Sequence, residues 1–145
     1  MFYPRKFIEK EDENRLIESI RRAEKNTSGE ICVHFQKKIK VPVMDAALKA
    51  FKTLKLDQTA MKNGVLIFIV PDIKQFAILG DKGINDVVPE NFWDDIVEDL
   101  KGHFRSGNIV EGLSYNIERI GLKLKEHFPH QDNDINELPD EIRYA

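Results

Sequence analysis

The stretch that decides the fold is NGVLIFIVPDIKQFAILG, residues 63–80. Residues 65–70 are six consecutive β-branched, leucine or aromatic residues. A run of this kind is typical of a central strand that helices cover on both faces. Because only PDIKQ separates this run from residues 76–80, the second strand is expected to return antiparallel through a tight turn. The stretch therefore predicts a hairpin at the centre of a sheet.

The segments on either side of the hairpin predict helices and one more strand. Upstream, residues 9–26 and 43–55 carry apolar side chains at helical spacing, whereas residues 30–36 alternate between apolar and polar side chains. Downstream, one helix is expected from Pro89, which suits a first helical turn, and another over 109–128. This order of elements predicts an α/β fold, an αβα sandwich with a short mixed central β-sheet between helices.

One domain accounts for most of the chain. A length of 145 residues with 41% hydrophobic content is enough to bury a core without disulfides or metals. Residues 1–129 are the predicted domain, and residues 130–145 are a polar tail. Within the tail, Ile135, Leu138 and Ile142 are the side chains able to anchor it to the domain.

The composition argues against several classes of partner. With 22 basic and 25 acidic residues the net charge is -3, which gives no overall attraction to nucleic acid. Cys32 is the single cysteine, so the chain forms no internal disulfide, and this suits a reducing compartment. There is no run of about 18 apolar residues to span a membrane, and the charged start lacks a secretory signal. We expect a soluble, cytoplasmic monomer that binds neither nucleic acid nor membrane.

A group of acids and glycines follows the hairpin. Asp81, Asp86 and Glu90 are separated by Gly80 and Gly83, which permit the backbone angles that a loop needs to fold around one point. Carboxylate oxygens favour calcium or magnesium, whereas zinc normally takes nitrogen or sulfur donors, which this loop lacks. The spacing is not that of an EF-hand, because Gly83 stands where an acid is expected.

The same acids also fit a purely structural role. Asp86 or a neighbour could cap the helix that starts at Pro89, and Glu90 could interact with the positive end of its dipole. Residue types alone favour this interpretation over a metal site.

Topology strengthens the case for a metal site and leaves the two interpretations equally open. If the first two strands are parallel and the third returns, Asp81 lies at the same sheet edge as Glu30 and the loop that contains Asp57 and Thr59. Carboxylates gathered at one place need a cation to offset their repulsion.

Five segments of the chain together resemble the TPM domain family, in its branch of small soluble proteins made of that domain alone. They are SGEICVHF (28–35), TAMKNGVLIFI (59–69), FAILGDKGINDVVPENFW (76–93), GNIVEGLSYNIERIGLKLKEHFP (107–129) and NELPDEI (136–142). The resemblance implies an αβα sandwich with an acidic cleft that binds divalent ions, chiefly calcium or magnesium. The positions that fit as metal ligands are Glu30, Asp57, Asp81, Asp86 and Glu90.

Some members of that family are associated with phosphatase activity or with photosystem repair. Those relatives usually carry an export signal and a membrane anchor, and this sequence shows neither.

Two other candidate features receive a structural interpretation. Cys32 and His34 share one face of a predicted strand, but no third group is evident to orient the imidazole, so a packed cysteine is favoured over a catalytic dyad. Trp93 is expected to anchor its helix in the core, although its ring could also serve as a platform for a ligand.

Three functions follow from these observations. The first is a divalent-metal-binding domain that takes one or two ions, whose loops become ordered by the metal. The ordered surface is then either recognised by a protein partner or simply stabilised. The alternative is a metal-dependent phosphatase acting on phosphomonoesters, although no arginine pair stands near the glycine loop to hold a phosphoryl group. The third is an interaction module that uses the C-terminal tail to bind a protein.

Overall fold

A four-stranded mixed sheet forms the centre of the fold in the computed structural model, which describes residues 8–130 and 142–145. Its strands are β1 (Glu30–Phe35), β2 (Gly64–Val70), β3 (Gln75–Gly80) and β4 (Ile142–Tyr144), in the order β3-β2-β1-β4. β1 pairs in parallel with β2 and β4, whereas β3 is antiparallel to β2. The predicted hairpin and the parallel pairing of the first two strands are therefore confirmed.

β2 is buried along its whole length and contributes side chains to both faces of the sheet. Val65, Ile67 and Ile69 belong to one hydrophobic cluster, whereas Leu66, Phe68 and Val70 belong to a second cluster on the other face. This alternation follows from the twofold period of a strand. The continuous apolar run in the sequence is the pattern of a strand that has a core on each side.

Helices cover the two faces unequally. The helices of the described residues are α1 (Lys10–Lys25), α2 (Val43–Thr53), the short α3 (Lys82–Asn85), α4 (Phe92–Arg105) and α5 (Ile109–His127). Among these helices, α1, α4 and α5 pack on the larger cluster, and α2 packs on the smaller one. The predicted αβα sandwich is confirmed. None of the helices within residues 8–130 combines the length and the apolar character needed to cross a bilayer.

The helix predicted from Pro89 begins one turn later than expected. Pro89 lies in a turn, in which the Phe92 N–H donates to the Pro89 carbonyl at 3.0 Å, and α4 starts at Phe92. Residues 82–85, which come before this turn, form α3, a helix that the sequence does not predict. Four residues are too few to show a helical period, so only their three-dimensional surroundings mark them as helix.

The C-terminal end of the chain is part of the sheet. Tyr144 stacks on Phe35 with 5.5 Å between ring centroids, and its hydroxyl donates to a Glu13 carboxylate oxygen at 2.8 Å. Ile142 packs against the larger cluster. Of the predicted tail anchors, Ile135 and Leu138 lie outside the described residues.

The alkaline stability of the protein should depend on Tyr144. Burial first, and then the Glu13 carboxylate, raise the pKa of this phenol above its ordinary value of 10.0. Above about pH 10 the unfolded chain loses this proton while the folded chain keeps it, so the free energy of unfolding falls as pH rises. Urea unfolding of Tyr144→Phe should show a shallower decline above pH 10 than the wild type. Equal slopes would contradict the proposed environment of the hydroxyl.

Candidate functional site

Three segments meet around Gly64, at the start of β2. Gly64 is paired with Glu30 across β1 and β2, and its carbonyl accepts a hydrogen bond from the Asp81 N–H at 3.0 Å. A Cβ at Gly64 would lie 2.5 Å from the Leu56 carbonyl oxygen, so the turn that contains Asp57 passes close to the same residue. We call this region the Gly64 edge: Glu30, residues 56–64 and residues 80–86. The meeting of segments predicted from topology is confirmed.

Three side-chain oxygens of the Gly64 edge are buried without a hydrogen-bond donor among the described residues. They are Asp57 Oδ1, Asn63 Oδ1 and Asp81 Oδ2. A buried oxygen that lacks a partner costs about 1–3 kcal/mol. Three such atoms on neighbouring segments have lone pairs that water or a cation could occupy. Two are carboxylate oxygens and one is an amide oxygen, which are the donors that calcium and magnesium prefer.

The side chains of one aspartate and one asparagine fix the loop that follows β3. Asp81 caps α3 by accepting the Lys82 N–H at 2.8 Å through Oδ1, which leaves Oδ2 as the unpartnered atom. Asn85 donates to the Gly80 carbonyl at 2.9 Å and accepts the Trp93 indole N–H at 2.9 Å. Trp93 is thus hydrogen-bonded to the Gly64 edge, and its side chain also packs against the larger cluster.

Gly83 lies where this loop packs closely against the turn before β2. A Cβ at this position would lie 2.2 Å from the Met61 carbonyl oxygen and 2.6 Å from that of Lys62. The two backbone segments can therefore approach this closely only because residue 83 is glycine. In the turn itself, the Lys62 ammonium donates to the Asp57 carbonyl at 2.7 Å.

The five predicted ligands fall into two groups, one at least partly buried at the Gly64 edge and one exposed to solvent. Asp57 and Asp81 each contribute a buried oxygen that has no hydrogen-bond donor among the described residues. Glu30 is buried at the start of β1, where its N–H donates to the Asn63 carbonyl at 3.3 Å. Asp86 is exposed and forms an ion pair with the Lys82 ammonium at 2.8 Å, and Glu90 is exposed in the turn before α4.

Across residues 8–130 and 142–145, no three His, Cys, Asp or Glu side chains converge in a way that could hold a metal. Any cation at the Gly64 edge therefore needs amide, carbonyl or water oxygens in addition to carboxylates. Asn63 and Asn85 are not among the ligands predicted from the sequence, which are all carboxylates. The signal that could have found them is the NG pair at the start of β2 and the asparagine two residues after Gly83.

His34 is a buried neutral imidazole on the α2 face of β1. Its Nε2–H donates to Gln36 Oε1 at 2.8 Å, its ring stacks on Phe68 at 5.3 Å, and its Nδ1 is buried without a donor among the described residues. Burial lowers the pKa of His34, and the Arg143 guanidinium lowers it further. Cys32 is buried on the same face within the smaller cluster, which agrees with the packing interpretation.

Comparison with known proteins finds one matching family model and several similar solved structures. The sequence model of the TPM domain matches residues 3–122. The NMR structure of the BA42 protein from the psychrophilic bacterium Bizionia argentinensis is 43% identical over 100% of both chains, with a TM-score of 0.89. No curated protein matches the chain.

Two further solved structures share the fold. The N-terminal domain of a P. gingivalis protein is 25% identical, with 86% of this chain and 82% of that chain covered and a TM-score of 0.67. The N-terminal domain of a Corynebacterium glutamicum protein covers 90% of this chain and 82% of its own at a TM-score of 0.66, but at 12% identity the likeness is of fold alone.

Gly83→Ala should destabilise the protein by about 1–3 kcal/mol, because the added methyl group meets two backbone carbonyl oxygens that cannot rotate away. Gly102→Ala is the matched control, since a Cβ there meets nothing within 4 Å and alanine favours the interior of α4. Urea unfolding measures both. A Gly83→Ala protein as stable as Gly102→Ala would contradict the close approach of the two loops.

Acid should destabilise the protein partly through His34. The unfolded chain protonates this imidazole near its ordinary pKa of 6.5, whereas the folded chain keeps it neutral to lower pH. The free energy of unfolding therefore falls as pH drops through about 6.5, by up to about 1.4 kcal/mol per pH unit for this group. His34→Gln should lose less stability than the wild type between about pH 7.5 and 5 in urea titrations.

Proposed function

The chain belongs to the TPM domain family, and from this premise we propose that its Gly64 edge binds a divalent cation, calcium or magnesium. The observation that carries the proposal is a set of three buried oxygens that have no hydrogen-bond donor in the described part of the chain: Asp57 Oδ1, Asn63 Oδ1 and Asp81 Oδ2. A doubly charged cation would satisfy their lone pairs and neutralise both carboxylates at once.

The donor set fits a hard cation better than a transition metal. Every candidate ligand is an oxygen, and the described part of the Gly64 edge offers no imidazole or thiolate for zinc. Calcium takes six to eight oxygens and magnesium usually keeps several waters, so three side-chain oxygens leave room for solvent in either shell. Glu30, buried next to Asn63, is a fourth candidate.

Cation binding would link segments that are far apart in sequence. Asp57 stands in the turn before β2, Asn63 at the strand start and Asp81 after β3, so one ion would join the turn to the glycine loop. Because the ion binds the folded arrangement and not the unfolded chain, it stabilises the protein by mass action. The function that follows is a metal-responsive domain whose loop surface, made rigid by the ion, is presented to a partner.

A metal-dependent phosphatase receives less support from the described residues. Phosphoryl transfer needs cationic groups that hold the phosphate oxygens beside the metal. At the Gly64 edge the cations are Lys62 and Lys82, and both already contact oxygen atoms of this edge. Arg105 ends α4, whose first turn is the one near Gly80, so it lies about 20 Å along the helix from the edge.

The test is a titration with calcium chloride and with magnesium chloride, followed by amide NMR shifts and by the fluorescence of Trp93. We expect amide shifts confined to the Gly64 edge, and a change in Trp93 emission because its indole N–H donates a hydrogen bond to Asn85 within that edge. Asp57→Asn and Asp81→Asn should each weaken binding by about tenfold or more, since each removes a full ligand charge. No response at millimolar ion would contradict the proposal.

Asp72→Asn is the matched control for these variants. Asp72 is an exposed acid in the turn between β2 and β3, at the far end of the hairpin from Gly64. It should leave cation affinity unchanged; an equal loss would mean nonspecific binding to surface charge. A phosphomonoester assay on the same proteins separates the alternative function, which requires magnesium-dependent turnover that disappears in Asp81→Asn.

A further inference from the structure

We propose that the end of β3 opposite the Gly64 edge binds a small dianionic ligand that carries a flat ring, of the aromatic phosphomonoester class. The site is a cleft of about 370 Å³ lined by Lys74, Phe76, Lys101, Phe104 and Arg105, which we call the basic cleft. Its volume falls within the range of small-molecule sites. It is separate from the proposed cation site and does not depend on it.

Two elements build the basic cleft. The turn between β2 and β3 supplies Lys74, which has a left-handed backbone with φ of 54° and directly precedes β3. The last turn of α4 supplies Lys101, Phe104 and Arg105. Because Trp93 contacts Gly80 at one end of β3 and Phe104 contacts Phe76 at the other, α4 holds these side chains along the strand at a fixed distance from the Gly64 edge.

The charge in the basic cleft is of one sign. Among the described residues, its lining contains three cationic side chains and no acid. The side chains of Lys74 and Arg105 make no ion pair within the described residues. Lys101 contacts Glu98 at 3.5 Å, a solvent-exposed pair that is worth little. In a chain of net charge -3, this local excess of positive charge favours an anion that can neutralise more than one cation.

The dipole of α4 opposes anion binding only weakly. A helix C-terminus carries partial negative charge on its last carbonyls. Here the N–H groups of Ser106, Gly107 and Asn108 donate to the carbonyls of Gly102, Phe104 and His103, at 3.1, 3.2 and 2.9 Å. These carbonyls are thus occupied, and the full charges of the three side chains exceed the residual partial charge.

The floor of the basic cleft is aromatic. Phe76 and Phe104 meet edge to face, with ring centroids 4.8 Å apart, and both pack against the larger hydrophobic cluster while remaining partly exposed. An apolar floor beneath convergent cations suits a ligand with a flat ring on one side and a charged group on the other. Arginine can bind two phosphate oxygens at once, which favours a phosphate dianion over a monocarboxylate.

The test uses phenylphosphonate, which has the ring and the dianion but no ester that could be hydrolysed, at about pH 8 where the phosphonate is ionised. Amide shifts in the NMR spectrum should be confined to residues 74–76 and 101–106. Inorganic phosphate, which lacks the ring, and benzoate, which carries one charge, should each bind several-fold more weakly. Phosphate that binds as tightly as phenylphosphonate would overturn the proposed ligand class.

Variants of exposed side chains make the test specific without endangering the fold. Lys74→Gln and Arg105→Gln should each weaken phenylphosphonate binding by about tenfold, as expected for the loss of one charge-assisted hydrogen bond. Lys49→Gln, which removes an exposed lysine on α2 outside the basic cleft, is the matched control and should leave affinity unchanged. An equal loss in all three variants, or no shifts at about 10 mM ligand, would refute the site.

Discussion

The burial of β2 on both faces is the constraint on which the rest of the structure depends. Six side chains of this strand, Val65 to Val70, are at most 1% exposed and alternate between two hydrophobic clusters. A strand of this kind is stable only when helices cover both sides. The two-layer covering by α1, α4 and α5 on one face and α2 on the other follows from this requirement, and so does the position of β2 between β1 and β3.

The same constraint places the candidate binding side chains at the two ends of the β2–β3 hairpin. A strand whose faces are both buried can present polar groups only where it begins and ends. At the beginning of β2 the chain collects Asp57, Asn63 and Asp81, and at the opposite end of the hairpin it collects Lys74 and the basic last turn of α4. α4 spans the length of β3 between them, with Trp93 near Gly80 and Phe104 near Phe76. The two proposed sites are thus opposite ends of one rigid hairpin and its helix.

Part of the candidate cation site could be predicted from sequence because strand direction determines which segments share an edge. Parallel β1 and β2 with an antiparallel β3 place Glu30, the residues before Gly64 and Asp81 together, whatever the side chains between them. The roles of Asn63 and Asn85 could not be predicted in the same way. Asparagine is common in turns for its own hydrogen bonds, so its presence there carries no signal until the partners of each oxygen are known.

The sequence by itself determined the order of the four longer helices and the first three strands, the hairpin and the sandwich, because hydrophobic period is a local property that each segment carries alone. Only the tertiary structure decided that residues 142–144 join β1 as a strand, since a three-residue segment has no period and pairs through contacts remote in sequence. It also decided that Asp86 turns outward to Lys82, while Asp81 keeps a buried oxygen that no donor within residues 8–130 and 142–145 reaches. Whether a carboxylate is satisfied depends on every neighbour that packing brings to it, and no local pattern records those neighbours.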